Sequence, residues 1–178
     1  MKQIIALCLL LTAPMAGAAP VAQTSAAIAQ LEAGVVCPPP AVGTSPAPGT
    51  VAGSTHIIED EPPFVSNSQR VPAVIGIGFG VKALAADAAG LDGVTVVVTH
   101  PPMGAGSVQS QQFTTRISGF GPSITFYQFD YAYELLPGTW QMIAVREGQV
   151  LYTVAFEVVP PAAMPELAAV CGYEDLLS

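Results

Sequence analysis

Positive charge is what this chain has least of. Its 178 residues carry five Lys and Arg against thirteen Asp and Glu, a formal net charge of -8. Beyond Lys2 the strong bases are Arg70, Lys82, Arg116 and Arg146, scattered along the chain. Nucleic-acid binding requires clustered cations that neutralise phosphates, so no nucleic-acid partner is expected. Anionic membrane surfaces are disfavoured for the same reason. Histidine is scarcer still, with His56 and His100 only. A catalytic triad needs a base beside its nucleophile, and no G-x-S-x-G elbow accompanies either histidine. C-x-x-C, H-E-x-x-H, an acidic calcium loop and a Walker lysine are missing too. The run Gly76-Ile77-Gly78-Phe79-Gly80 lacks dinucleotide spacing and sits in a strand pattern. No catalytic residue and no cofactor is therefore assigned, and the chain reads as non-enzymatic.

Long apolar runs are also few, and the notable one opens the chain. Lys2 is followed by "IIALCLLLTAPM" and then by the small residues Ala16-Gly17-Ala18. A positive start, a short apolar run and a small-residue cleavage site are the three parts of a secretory signal peptide. Residues 1–18 are read as that signal, cut after Ala18, and 19–178 as one exported domain in the periplasm or outside the cell. Leu7 before Cys8 does not fit a lipoprotein site. With the signal removed, no membrane span is expected in the mature chain. Cys37 and Cys171 then remain, near opposite ends, and two cysteines in an exported chain are expected to pair. A bridge closing so long a loop stabilises by roughly 5 kcal/mol at most in the chain-entropy account.

Proline and glycine are abundant, seventeen of each. They concentrate in "PPPAVGTSPAPGTVAGST" and continue through "EDEPPF", so residues 38–63 are expected to form an irregular connector. Before it, "SAAIAQLEAGVVC" fits a strand or a short helix, with the strand favoured. After it, period-two alternation takes over. In "VIGIGFGVKAL", Gly76, Gly78 and Gly80 oppose Ile75, Ile77, Phe79 and Val81. "GVTVVVTHPPM" reads as a strand stopped by Pro101-Pro102, "SQQFTTRISGF" as another, and "SITFYQFDYAYEL" as a fourth with its aromatic face inward at Phe129. "LPGTWQMIAVREGQVLYTVAFEVV" is turn, strand, Gly-bearing turn, strand: Trp140, Met142 and Ala144 alternate, then Val150, Tyr152, Val154, Phe156 and Val158. About seven short strands and no long helix predict an all-β fold, an antiparallel immunoglobulin-like sandwich, with a jelly roll or small barrel as alternatives.

The stretch "LLPGTW", its alternating strand, the Gly turn and "FEVV" resemble the last two strands of fibronectin-like and macroglobulin-like sandwich domains. The wider combination of "FGV" at Phe79, "HPPM" at His100 and "FDYAYELLPGTW" at Phe129 is similar to a bacterial family of secreted proteins described as a domain of unknown function. That resemblance covers roughly residues 70–159. It implies a sandwich and export, and it transfers no site residue.

Few side chains remain for chemistry. Glu59-Asp60-Glu61 reads as a solvated charge run; Asp130 and Glu134 lie beside aromatics, a better place for sugar contact, although Asp130 also suits an outward strand position. His100 and Met103 stand three apart on a rigid strand exit, a soft donor pair suited to copper. His56 would add a third donor if the fold brought it near. The functional expectation is an exported, non-enzymatic interaction module of the cell envelope, binding a protein or a polymer. The alternative is a periplasmic carrier of a small ligand or copper.

Overall fold

The computed structural model describes residues 22–104 and 106–177; the expected signal peptide and its cleavage site lie outside them. Eleven strands form among the described residues: β1 (Ala22–Thr24), β2 (Ile28–Val36), β3 (Ala41–Pro46), β4 (Ser54–Ile58), β5 (Arg70–Pro72), β6 (Gly78–Ala85), β7 (Leu91–Met103), β8 (Val108–Ile117), β9 (Ser123–Gln128), β10 (Gly138–Arg146) and β11 (Gln149–Val159). One sheet runs β1-β11-β10-β7-β8, with β5 also paired to β11; a second runs β2-β6-β9. All these pairings are antiparallel except β5 with β11. The seven strands expected from alternation are β2 and β6 to β11. They divide three and four between two facing layers, the architecture of an immunoglobulin-like sandwich.

Aromatic rings knit the layers. Phe79 of β6 meets Phe156 of β11 at 4.7 Å between ring centroids and Trp140 of β10 edge-on at 5.7 Å. Trp140 also meets Phe129 edge-on at 5.6 Å, and its indole N–H donates to the Leu136 carbonyl at 3.0 Å. Phe79, Phe129, Trp140 and Met142 are wholly buried. The glycine face of β6 has a packing cause, because a Cβ on Gly80 would lie 2.3 Å from the Thr125 carbonyl of the neighbouring strand. The β10–β11 turn is Glu147-Gly148, both at positive φ, as a two-residue hairpin turn requires.

Five local expectations are corrected. Val150 does not share the buried face of β11: the register shift opposite Ala144 and Val145 separates it from Tyr152 and leaves it exposed. Residues 38–63 are not an irregular connector throughout: β3 and β4 pair antiparallel within them, with Thr44 opposite His56. Every residue of β3 is exposed, and proline is tolerated on such an edge. Pro101-Pro102 do not stop β7, which reaches Met103 across a register shift between Thr99 and Met103; bulges accept proline. The aromatic strand ends at Gln128 and gives way to a short 3-10 turn, Ala132–Glu134. Tyr131 and Tyr133 therefore leave the core side and are exposed, while Phe129 stays inside. Ile75 is exposed because the chain still turns at Gly76 (φ 87) before β6 begins.

Cys37, just beyond β2, is bonded to Cys171 at the end of the short helix Ala168–Cys171, with Cα atoms 5.0 Å apart. Among the described residues no helix is long and apolar enough to cross a membrane.

Candidate functional site

β8 and β9 are the edge strands of their respective sheets, so the sandwich is open between them. The turn of the β3–β4 hairpin leans on this opening: Gln112 N–H donates to the Gly49 carbonyl at 2.9 Å. A Cβ at residue 49 would sit 2.4 Å from the Gln112 carbonyl, so the approach needs glycine. The hairpin, β8 and β9 together enclose a cleft of about 240 Å³. Its polar lining includes Ser54, Thr55, Thr114 and Thr115 with His56, Gln128 and Asp130; Phe113, Ile124 and Phe126 supply apolar wall.

A buried hydrogen-bond network forms the floor. Gln111, 3% exposed, accepts from Val51 N–H through Oε1 at 2.6 Å. That contact fixes the amide orientation and turns Nε2 inward. The Nε2 group lies 3.1 Å from His100 Nε2 and 3.1 Å from the Tyr127 hydroxyl. An amide nitrogen has two hydrogens, and the two shorter contacts take them, with Met103 Sδ a longer third contact at 3.7 Å. His100 must then carry its proton on Nδ1, which donates to the Pro101 carbonyl at 2.8 Å. Tyr127 donates onward to Glu134 Oε1 at 2.6 Å. Glu134 is 2% exposed, and its Oε2 accepts from the backbone N–H groups of Asp130 at 2.6 Å and Tyr131 at 2.9 Å. These bonds cap the 3-10 turn, whose own backbone bonds run from Glu134 N–H to the Tyr131 carbonyl and from Leu135 N–H to the Ala132 carbonyl, and so hold Asp130 at the cleft. Burial, with the Glu134 carboxylate adding, holds the Tyr127 phenol well above its ordinary pKa and keeps it a donor.

Above this floor, His56 Nε2 lies 2.9 Å from both Asp130 carboxylate oxygens, and Gln128 Nε2 donates to Asp130 Oδ1 at 3.1 Å. His56 Nδ1 and Gln128 Oε1 are buried and find no hydrogen-bond partner among the described residues. Next in the chain, Tyr131 and Tyr133 stack with ring planes 6° apart and centroids 5.2 Å apart, both exposed.

A family model described as a domain of unknown function (DUF3859) matches residues 25–158. The chain belongs to that family. No curated protein matches it. Among solved structures, the chain is similar to an immunoglobulin-like protein from Pseudomonas aeruginosa at 17% identity. The match covers 80% of this chain and 100% of that one, with a TM-score of 0.48.

The structure sets the sequence-derived candidates in different places. His100 and Met103 do approach a common point, the Gln111 amide nitrogen, at 3.1 and 3.7 Å. His56 does not join them, since its Nε2 is turned to Asp130. Among the described residues no three His, Cys, Asp or Glu side chains are grouped to hold a metal ion. Asp130 and Glu134 have opposite roles: Asp130 lines the cleft surface and Glu134 is structural support beneath it. Gln111, Gln128 and the threonines of β8 carried no sequence signal beyond polarity in a strand.

Proposed function

We propose that this domain is an exported, non-catalytic binding module of the bacterial envelope, and that the cleft between β8 and β9 is its binding site. The observation that carries the reading is the cleft itself: a preformed recess with convergent polar groups over apolar wall, supported from below by a buried network. Thr114, Thr115, Gln128 and Asp130 of the cleft are exposed or half-buried and so are accessible for contact. Export is supported by the signal-like start and by a disulfide, which persists in oxidising compartments. The four basic side chains beyond Lys2 each pair with an acid (Arg70–Glu157, Lys82–Glu61, Arg116–Asp92 and Arg146–Glu147), which weighs against a nucleic-acid partner.

Expression of the full chain with a C-terminal tag in a bacterial host tests the reading. The osmotic-shock fraction is expected to hold a species lacking residues 1–18 with Cys37 and Cys171 oxidised, and envelope extract is expected to yield a partner that His56→Ala releases. A full-length chain with free thiols, retained in the cytoplasm, overturns the proposal.

The shared approach of His100 and Met103 to Gln111 supports a second reading, a copper carrier. Cu(I) would take His100 Nε2 and Met103 Sδ once the Gln111 amide turned away. Titration of the purified protein with Cu(I) against a chromogenic chelator is expected to show one site that His100→Ala abolishes. An affinity unchanged by that substitution removes the reading.

A further inference from the structure

Resting on the binding-module reading, we infer that the cleft recognises a neutral, hydroxyl-rich ligand: one sugar unit of a glycan chain. Three observations point to this chemistry. The lining carries no Lys or Arg, and its one basic side chain, His56, is already turned to the Asp130 carboxylate, which leaves little to neutralise a phosphate, sulfate or carboxylate. Its polar groups are hydroxyls, amides, the His56 imidazole and one accessible carboxylate, which together donate and accept on a short scale, as vicinal hydroxyls demand. Asp130 is already engaged by His56 and Gln128, which orients its oxygens and moderates its appeal to a simple cation.

The unpaired atoms agree with this. Native proteins seldom leave buried polar atoms without partners, yet Gln128 Oε1 and His56 Nδ1 both belong to side chains of this cleft. As those side chains settle round a ligand, its hydroxyls supply the missing bonds. Phe113, Ile124 and Phe126 offer the apolar surface for the C–H face of a sugar ring. The volume, about 240 Å³, falls below the roughly 300–1,000 Å³ usual for drug-sized ligands, which suits a single ring better than an oligosaccharide. The neighbouring rings of the chain then run over the exposed Tyr131–Tyr133 stack, a flat amphipathic platform beside Asp130 in sequence.

The test is protein-observed NMR on the oxidised full domain with four probes: cellotetraose, maltotetraose, tetra-N-acetylchitotetraose and the anionic tetragalacturonate. At least one neutral probe is expected to shift the Gln128 side-chain amide and the Thr114 and Thr115 backbone amides saturably, and tetragalacturonate is expected to shift none of them. Asp130→Ala, checked for an unchanged melting profile, is expected to weaken binding about tenfold, as loss of a good hydrogen bond does. Tyr131→Ala, remote from the core, is expected to weaken the tetrasaccharide while sparing the matching monosaccharide. Silence from all three neutral probes at millimolar concentration, or equal binding of tetragalacturonate, overturns the glycan assignment. If an envelope partner is still captured in that case, the binding-module reading stands without it.

Discussion

Replacing Trp140 with Ala is expected to lower the unfolding free energy by about 3–5 kcal/mol, the range for removing a large aromatic from a packed core. The ring is wholly buried and sits among four others: Phe79, Phe129, Tyr127 and His100, with centroids between 4.9 and 5.7 Å away. Deleting it opens a cavity between the two sheets that neither can collapse to fill, because each is held by its own ladder. The substitution also strands the Leu136 carbonyl, which loses the indole N–H. Trp140→Phe should recover part of the loss by refilling the space, though not the hydrogen bond. Urea unfolding followed by circular dichroism measures both variants. A loss under about 1 kcal/mol for Trp140→Ala is incompatible with a core that has this ring at its centre.

The joint substitution Cys37→Ala/Cys171→Ala is expected to cost about 2–5 kcal/mol, and reduction of the native protein a similar amount. The bridge joins residues 134 apart in sequence, so the unfolded chain is confined to a very large ring. In the folded state the same bond fixes the short C-terminal helix to the end of β2. Without it the tail is held by side-chain packing of Met164, Leu167 and Tyr173 and by the Tyr173 hydroxyl donating to the Met164 carbonyl. The expected order is therefore loss of the tail first, then a sandwich with a lower urea midpoint. An identical midpoint with and without reductant would remove the bridge from any account of stability.

The sequence disclosed what depends on near neighbours. Trp140, Met142 and Ala144, and Tyr152, Val154, Phe156 and Val158, alternate as the inward faces of β10 and β11, and all are buried. The pairing of Cys37 with Cys171 is expected from the count of cysteines left once residues 1–18 are read as a signal, and the bond is present. What escaped depends on contacts across long separations. Pro101-Pro102 look like a stop locally, but a bulge against β8 absorbs them. Tyr131 and Tyr133 continue an alternating pattern, yet Glu134 reaches back to two backbone N–H groups and turns the chain outward. Gln111 reads as an outward polar residue in a strand; it is buried because Val51 of the hairpin turn, 60 residues away, covers it. His56 and Asp130 meet across 74 residues, and nothing in either neighbourhood announces the other. The cleft is thus assembled from parts whose meaning appears only once the hairpin has docked.

The link between Cys37 and Cys171 also decides how the molecule answers a pull. Tension applied at the two ends passes through the sulfur atoms and bypasses every strand from β3 to β11. The 134-residue span inside the link hides about 450 Å of contour that such a pull cannot release. Only β1, β2 and the last few residues can lengthen, so a domain tethered at both ends would behave as a short, nearly inextensible joint while its cleft kept its shape.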